Sequence, residues 1–127
     1  MPVQFQFSPE HAAAVYTYSD PFTTQELNEA IHEGQAIIDS NPGKVHLIHD
    51  LSTVRQLPNH MISYCRNKAR EAKSPRHIGA VIIVTRSAFV NSAFYVISKL
   101  LPEFHMTTVA TVDEAWSELA HFNLTVY

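Results

Sequence analysis

Cysteine, glycine and long apolar runs are scarce in this chain, and each shortage excludes a class of protein. Cys65 is the only cysteine, so neither an intramolecular disulfide nor a zinc site built from cysteines can form, as suits a reducing cytosol. The glycines are Gly34, Gly43 and Gly79, and none belongs to a GxGxxG or Walker sequence for nucleotide phosphates. No apolar run approaches about 18 residues, so we expect no membrane-spanning helix.

The charge balance and the first residues narrow the class further. The formal net charge is −3, which provides no overall basic field, and we therefore expect no nucleic-acid binding. The opening MPVQFQFSPEH has neither the basic region nor the continuous apolar stretch of a signal peptide, so we expect a cytoplasmic protein. With 46% hydrophobic and 17% charged residues, the 127-residue chain is typical of one globular domain spanning residues 1–127.

The first forty residues predict a β-hairpin followed by a helix. Val3, Phe5 and Phe7 alternate with glutamines, and the alternation resumes between residues 12 and 18, as in two antiparallel strands. Thr23 and Glu26 then form a capping-box pattern that opens an amphipathic, acidic helix. Its apolar positions follow helical spacing: Leu27, Ala30, Ile31, Gly34, Ile37 and Ile38.

The rest of the chain predicts three more strands alternating with three more helices. Residues 44–55, KVHLIHDLSTVR, form an apolar strand that leads into a polar turn, and a second helix starts near Pro58. Ile78 to Thr85 is apolar and rich in β-branched residues, which indicates a strand covered on both faces. A third helix follows at 87–101, then a short strand at 106–110 and a helix opened by Thr111. We expect the third helix to bury Phe89, Val90, Ala93, Val96, Ile97, Leu100 and Leu101.

The resulting order, β-β-α-β-α-β-α-β-α, predicts an α/β fold with a mixed, mostly parallel sheet flanked by helices. Parallel strands need crossover connections, and the predicted helices supply them. Asp50 and Ser52 follow the central strand, at the edge of the sheet where open α/β folds place their functional residues.

This element order and the segment His49–Ser52 with Val54 resemble the STAS domain family, which includes bacterial anti-sigma factor antagonists and domains of anion transporters and stressosome proteins. The family signature begins in the same way, with Asp-aliphatic-Ser-x-Val. It continues into Asp-Ser-Ser/Thr-Gly, which carries the phosphorylated hydroxyl, whereas Pro58, Asn59 and His60 stand here. The resemblance covers nearly the whole chain as element order and implies a divergent member without the usual phosphoacceptor.

The resemblance also implies two kinds of function. STAS domains present the turn after the central strand and the second helix to protein partners. The tail, from Phe89 to Leu101 and through 104–106 and 111–115, looks like that of bacterial STAS-like proteins, whose wider group shares a fold with lipid-carrying domains. A small-ligand or lipid-binding domain is therefore an alternative to a protein-interaction module.

The polar residues around the central strand do not predict catalysis. Asp50 and Ser52 share one face of the strand while His49 points to the other, so the three residues do not form a ready triad. We expect Asp50 and Ser52 to bond the backbone of the turn, as short polar side chains do. An enzyme that uses Asp50 with a histidine remains a third alternative. Among eight histidines the only close pair is His46-x-x-His49, so we predict no metal or other cofactor.

The second helix and the turn after it are basic. Five basic residues stand against one glutamate, Glu71, a local formal charge of +4 that leaves −7 for the rest of the chain. The basic residues are Arg66, Lys68, Arg70, Lys73 and Arg76. Such a cluster serves either as a surface for an acidic partner or as a solvated helix face favoured by the helix dipole.

From these patterns we predict a non-enzymatic regulatory module that acts through protein contacts. We call residues 50–60 the elbow, and the predicted partner-binding residues lie there and on the second helix: Asp50, Ser52, Asn59, His60, Arg66 and Arg70. Candidate phosphorylation sites are Ser52, Thr53 and Ser63. The aromatic residues Phe89, Phe94 and Tyr95 fall on more than one face of the third helix, which favours core packing or a homodimer contact.

Overall fold

The computed structural model describes residues 2–71 and 77–126, and the surroundings of side chains for 2–71 and 77–122. Within these residues, five strands and four helices follow one another in the predicted order. The predicted positions Lys73 and Arg76 lie outside the described residues. The elements are β1 (Val3–Ser8), β2 (Ala13–Tyr18), α1 (Thr24–Ser40), β3 (Val45–Asp50), α2 (Met61–Glu71), β4 (Ile78–Val84), α3 (Ala88–Leu100), β5 (His105–Val109) and α4 (Val112–Val126).

The five strands form one sheet in the sequential order β1-β2-β3-β4-β5. β1 and β2 are antiparallel, with Val3 opposite Tyr18, and the pairs β2–β3, β3–β4 and β4–β5 are parallel. The hairpin and the helical crossovers account for this pattern, because a short turn reverses the chain whereas a helix returns it to the same end of the sheet. The prediction of a mixed, mostly parallel α/β sheet is confirmed.

The two faces of the sheet are covered differently. Residues of α1, α2 and α3 pack on the face that carries Tyr16, Val45 and Ile83, whereas α4 packs on the face that carries Ile48 and Ile82. Alternate residues of β4 enter the two clusters, and Ala80 through Val84 are all buried. This double burial explains the nearly continuous apolar sequence of β4.

Helix α1 begins as its sequence predicts. The Thr23 hydroxyl accepts a hydrogen bond from the Glu26 N–H at 3.1 Å, and the Glu26 carboxylate accepts one from the Thr23 N–H at 2.9 Å. The helix buries Leu27, Ala30, Gly34 and Ile38, while Ile37 is exposed because it lies beside the buried stripe.

Two predicted features of the later helices are wrong. α2 begins at Met61, three residues after Pro58, so the elbow is longer than the sequence pattern indicates. α3 buries Val90, Phe94 and Ile97, and its C-cap residue Leu101 is also buried, but Phe89, Val96 and Leu100 are 62%, 44% and 47% exposed. The cause is that apolar residues occupy more than one face of α3. Only the face that carries the buried residues, which are spaced by four, three and four positions, meets the sheet.

A β-bulge lies near the beginning of β4. Val45 pairs with Ile78 and Leu47 with Val81, so Gly79 and Ala80 together oppose the single residue His46. The extra backbone N–H, that of Ala80, donates to Nδ1 of buried His46 at 3.0 Å. The ring of His46 occupies the space in which a side chain at position 79 would lie, which explains the glycine there.

Candidate functional site

A cavity of about 700 Å³ lies between the sheet and helices α1, α2 and α3. Its walls are mainly apolar side chains from each of these three helices and from β2 to β5. They include Leu27, Ile31, Leu47, Met61, Val81, Ile83, Phe94, Ile97 and Met106. Helix α2 packs against α3, and its inward-facing residues Tyr64, Cys65 and Ala69 are only partly buried. The cavity therefore results from a separation between α2 and the sheet.

The cavity runs along the strands from a polar end to an inner end. His77 and Ile78 at the start of β4 line the polar end, together with exposed residues Gln35 and Asp39 near the end of α1. Tyr18, His49 and Ile83, near the carboxyl ends of their strands, line the inner end. From Ile78 to Ile83 a strand rises about 16 Å, and residues that line the cavity lie along this stretch of β4.

Three side chains form a polar cluster on the wall of the cavity, which we call the Tyr–His cluster: Tyr16, Tyr18 and His49. The Tyr18 hydroxyl lies 2.7 Å from Nδ1 of His49. Tyr16 and His49 are opposite each other in the parallel β2–β3 pair, and their rings stack with centroids 5.2 Å apart and planes at 12°. Phe5 and Phe22 pack against Tyr16 and Tyr18 and complete the support of the cluster.

The tautomer of the imidazole depends on the direction of the hydrogen bond between Tyr18 and His49. Tyr18 is 3% exposed, and Nδ1 of His49 is the acceptor within reach of its phenol hydrogen among the described residues. With the hydroxyl as the donor to Nδ1, the proton of the neutral ring resides on Nε2. His49 thus presents an N–H donor from the atom that does not contact Tyr18.

All three members of the Tyr–His cluster are uncharged at neutral pH. Burial lowers the pKa of His49 to about 4, because an imidazolium would lose its hydration. Burial, followed by the proximity of Tyr64 and Glu33, raises the pKa of Tyr16 well above its ordinary value. Burial likewise raises the pKa of Tyr18. The inner wall therefore provides hydrogen-bonding groups without charge.

Two donors of the cluster have no partner within the described part of the protein. Neither the Tyr16 hydroxyl nor Nε2 of His49 bonds another group there. No fully buried side-chain N or O atom in the same residues lacks a hydrogen-bond partner, so both atoms must contact space large enough for water. Tyr16 is 2% exposed and lines the cavity, as does His49, so that space is the cavity.

The polar end of the cavity contains charged groups that are mostly paired. Lys68 lies 3.2 Å from the Glu71 carboxylate, and the Gln35 amide donates to Asp39 at 2.8 Å. Nε2 of His77 donates to the Ile38 carbonyl at 2.8 Å and so ties the start of β4 to α1. Among the described residues lining this end, one lysine faces two carboxylates, so no net positive charge is available for an anion.

Helix α2 contributes a thiol and a phenol to the cavity. Burial raises the pKa of the Cys65 thiol to about 11, so the thiolate needed for nucleophilic chemistry is scarce at neutral pH. The Tyr64 hydroxyl donates to Oδ1 of Asn28 at 3.2 Å, which connects α2 to α1. These groups shape the cavity and do not form an activated nucleophile.

The predicted partner-binding residues lie away from the cavity. Oδ1 of Asp50 accepts a hydrogen bond from the Ser52 N–H at 3.0 Å, the turn contact expected from the sequence. The remaining predicted residues, Ser52, Asn59, His60, Arg66 and Arg70, are exposed. Of the candidate phosphorylation sites, Ser52 and Ser63 are exposed, and the Thr53 hydroxyl donates to the Tyr18 carbonyl at 3.1 Å.

The other chemical alternatives gain no support from the geometry. His49 faces the cavity, and Asp50, on the opposite face of β3, bonds the turn, so the structure does not bring the pair together as a catalytic dyad. In the described portion of the chain, no group of three or more His, Cys, Asp or Glu side chains is arranged to hold a metal ion.

Among the same residues, none of the helices combines the length and apolarity needed to cross a membrane.

Comparisons with known proteins leave the family open: no family model, no curated protein and no solved structure matches this chain. The STAS resemblance stays a prediction from the sequence.

The sequence pattern did not identify the Tyr–His cluster as a site. The period-2 pattern does place Tyr16 and Tyr18 on one face of β2 and sets His49 apart from Asp50. The pattern does not show how far α2 lies from the sheet. Because of that separation, these residues line a cavity and are not packed in the core. The sequence feature that could have indicated the site is the presence of aromatic and histidine residues on adjacent parallel strands.

Proposed function

We propose that the protein binds a small apolar ligand in the cavity between the sheet and helices α1 to α3. The observation that carries the proposal is the cavity itself, about 700 Å³ with mainly apolar walls and a few inward polar groups. Ligand sites typically occupy 300–1,000 Å³ and have this composition.

A variant that fills the cavity tests this function. Ala69 lines the cavity from α2, and Asn67 is exposed on the same helix. We expect Ala69→Trp to weaken binding of the apolar dye Nile red by at least about tenfold, since the indole occupies ligand space. The control Asn67→Trp should bind as the wild type does. Equal binding by both variants, with folding verified by circular dichroism, would contradict the proposal.

A second candidate is the regulatory protein-interaction module predicted from the sequence. The observation in its favour is that Asn59, His60, Arg66 and Arg70 are all exposed around the elbow and α2. A homodimer through α3 belongs to the same candidate, because that helix exposes large apolar side chains. For the elbow, Arg66→Glu combined with Arg70→Glu should abolish capture of the partner at unchanged thermal stability. Capture that survives both reversals would exclude this surface.

A further inference from the structure

The two donors on the cavity wall that have no partner among the described residues are neighbours. Tyr16 and His49 are register partners on parallel strands, about 4.8 Å apart, and their rings stack almost in parallel. Both side chains therefore project from the sheet toward the helices, into the same part of the cavity. A hydroxyl and an Nε2–H that project together are suited to one acceptor atom with two lone pairs.

The charge of this environment restricts that acceptor. The Tyr–His cluster is neutral at physiological pH, because burial opposes both an imidazolium and a phenolate. A carboxylate or phosphate placed there would lose its hydration without gaining a cation, which is strongly unfavourable. The described residues at the polar end do not attract an anion either, because Lys68 already pairs with Glu71 and Asp39 adds a second carboxylate.

We propose that the ligand is an apolar molecule with an uncharged carbonyl group, whose oxygen accepts hydrogen bonds from the Tyr16 hydroxyl and Nε2 of His49. This inference rests on ligand binding in the cavity being the function. A ketone, aldehyde, ester or amide presents the required oxygen, and its apolar remainder lies along the cavity toward Ile78. The Tyr–His cluster then sets the orientation of the ligand, and the surrounding aliphatic side chains provide most of the affinity.

A matched set of ten-carbon probes tests the proposal. Methyl octyl ketone, decane and decanoic acid share an apolar chain and differ in the polar group. Their affinities are measured at pH 7.5 by displacement of Nile red from the full chain. The variants are Tyr16→Phe, which removes one donor and keeps the stacked ring, and Tyr95→Phe, which removes a hydroxyl from an exposed side chain of α3 outside the cavity lining.

We expect wild-type protein to bind the ketone about tenfold more tightly than decane, the effect of two neutral hydrogen bonds in a low-dielectric site. Tyr16→Phe should reduce this ratio several-fold by weakening ketone binding alone, and Tyr95→Phe should leave it unchanged. Decanoic acid, ionised at this pH, should bind more weakly than the ketone. A ratio unaffected by Tyr16→Phe, or lowered equally by Tyr95→Phe, would overturn the assigned contact.

The remaining outcomes separate the two proposals. Tighter binding of decanoic acid than of the ketone would overturn the uncharged carbonyl while leaving cavity binding intact. Equal affinities for decane and the ketone would also overturn the uncharged carbonyl and leave cavity binding intact. Failure of Nile red to bind the wild-type protein, with failure of all three probes by calorimetry, would overturn the proposed function itself.

Discussion

His49 couples the charge of the cavity wall to pH. Its pKa falls from 6.5 to about 4 because folding buries the ring, so between these values the unfolded chain binds a proton that the folded protein excludes. The stabilisation by neutral His49 is fully present above about pH 6.5 and is lost as the pH falls toward 4. It amounts to at most about 3 kcal/mol.

This linkage predicts a difference in acid sensitivity between the wild type and His49→Gln. Glutamine does not titrate, and the other seven histidines are common to both proteins. We expect the free energy of unfolding, measured in urea, to fall more steeply for the wild type between pH 6.5 and 4. Parallel pH profiles would show that His49 is not the residue that titrates in this window.

At the scale of elements, the bulge in β4 depends on Gly79. A methyl group at this position would overlap Nδ1 and Cε1 of His46, a buried ring that accepts the Ala80 N–H. We expect Gly79→Ala to destabilise the protein by about 1–3 kcal/mol, because either the ring or the bulge must shift. Gly43→Ala is the matched control, since no atom of the described residues lies within 4 Å of the added methyl. Similar urea midpoints for both variants would refute this account.

The individual helices and strands show how far sequence periodicity predicts structure. The capping box at Thr23 places the beginning of α1, and the unbroken apolar run from Ile78 identifies a strand buried on both faces. In α3 the pattern fails, since apolar residues surround much of the helix and spacing alone does not choose which face meets the sheet. The start of α2 fails for a related reason: Pro58 suits a helix start but also suits the loop before Met61.

For the whole molecule, secondary structure was more predictable than the site. Element order follows from local sequence, and parallel pairing follows from the helical connections. The cavity depends instead on how far α2, which packs on α3, lies from the sheet. Tyr16 and His49 have the sequence pattern of core residues, and only the tertiary arrangement gives them an open space to face.

For the whole molecule, the apolar side chains exposed on the outer face of α3 favour self-association. Phe89, Val96 and Leu100 recur at seven and four residues, so they form one apolar stripe away from the sheet. A second copy of the chain, with the same stripe, would cover it. We expect a dimer in sedimentation velocity at high micromolar concentration, and Val96→Glu should shift the protein to the monomer because it places a charge within the contact.

A control in the same helix separates the stripe from a general effect of charge. Asn91 is exposed on α3 but lies on the opposite side of the helix from Phe89 and Val96. Asn91→Glu therefore adds the same charge outside the stripe. It should leave the dimer intact. Since the cavity lies on the other side of α3, toward the sheet, Val96→Glu should also retain Nile red binding. A wild type that sediments as a monomer at every concentration would exclude the homodimer and leave the cavity proposal unaffected.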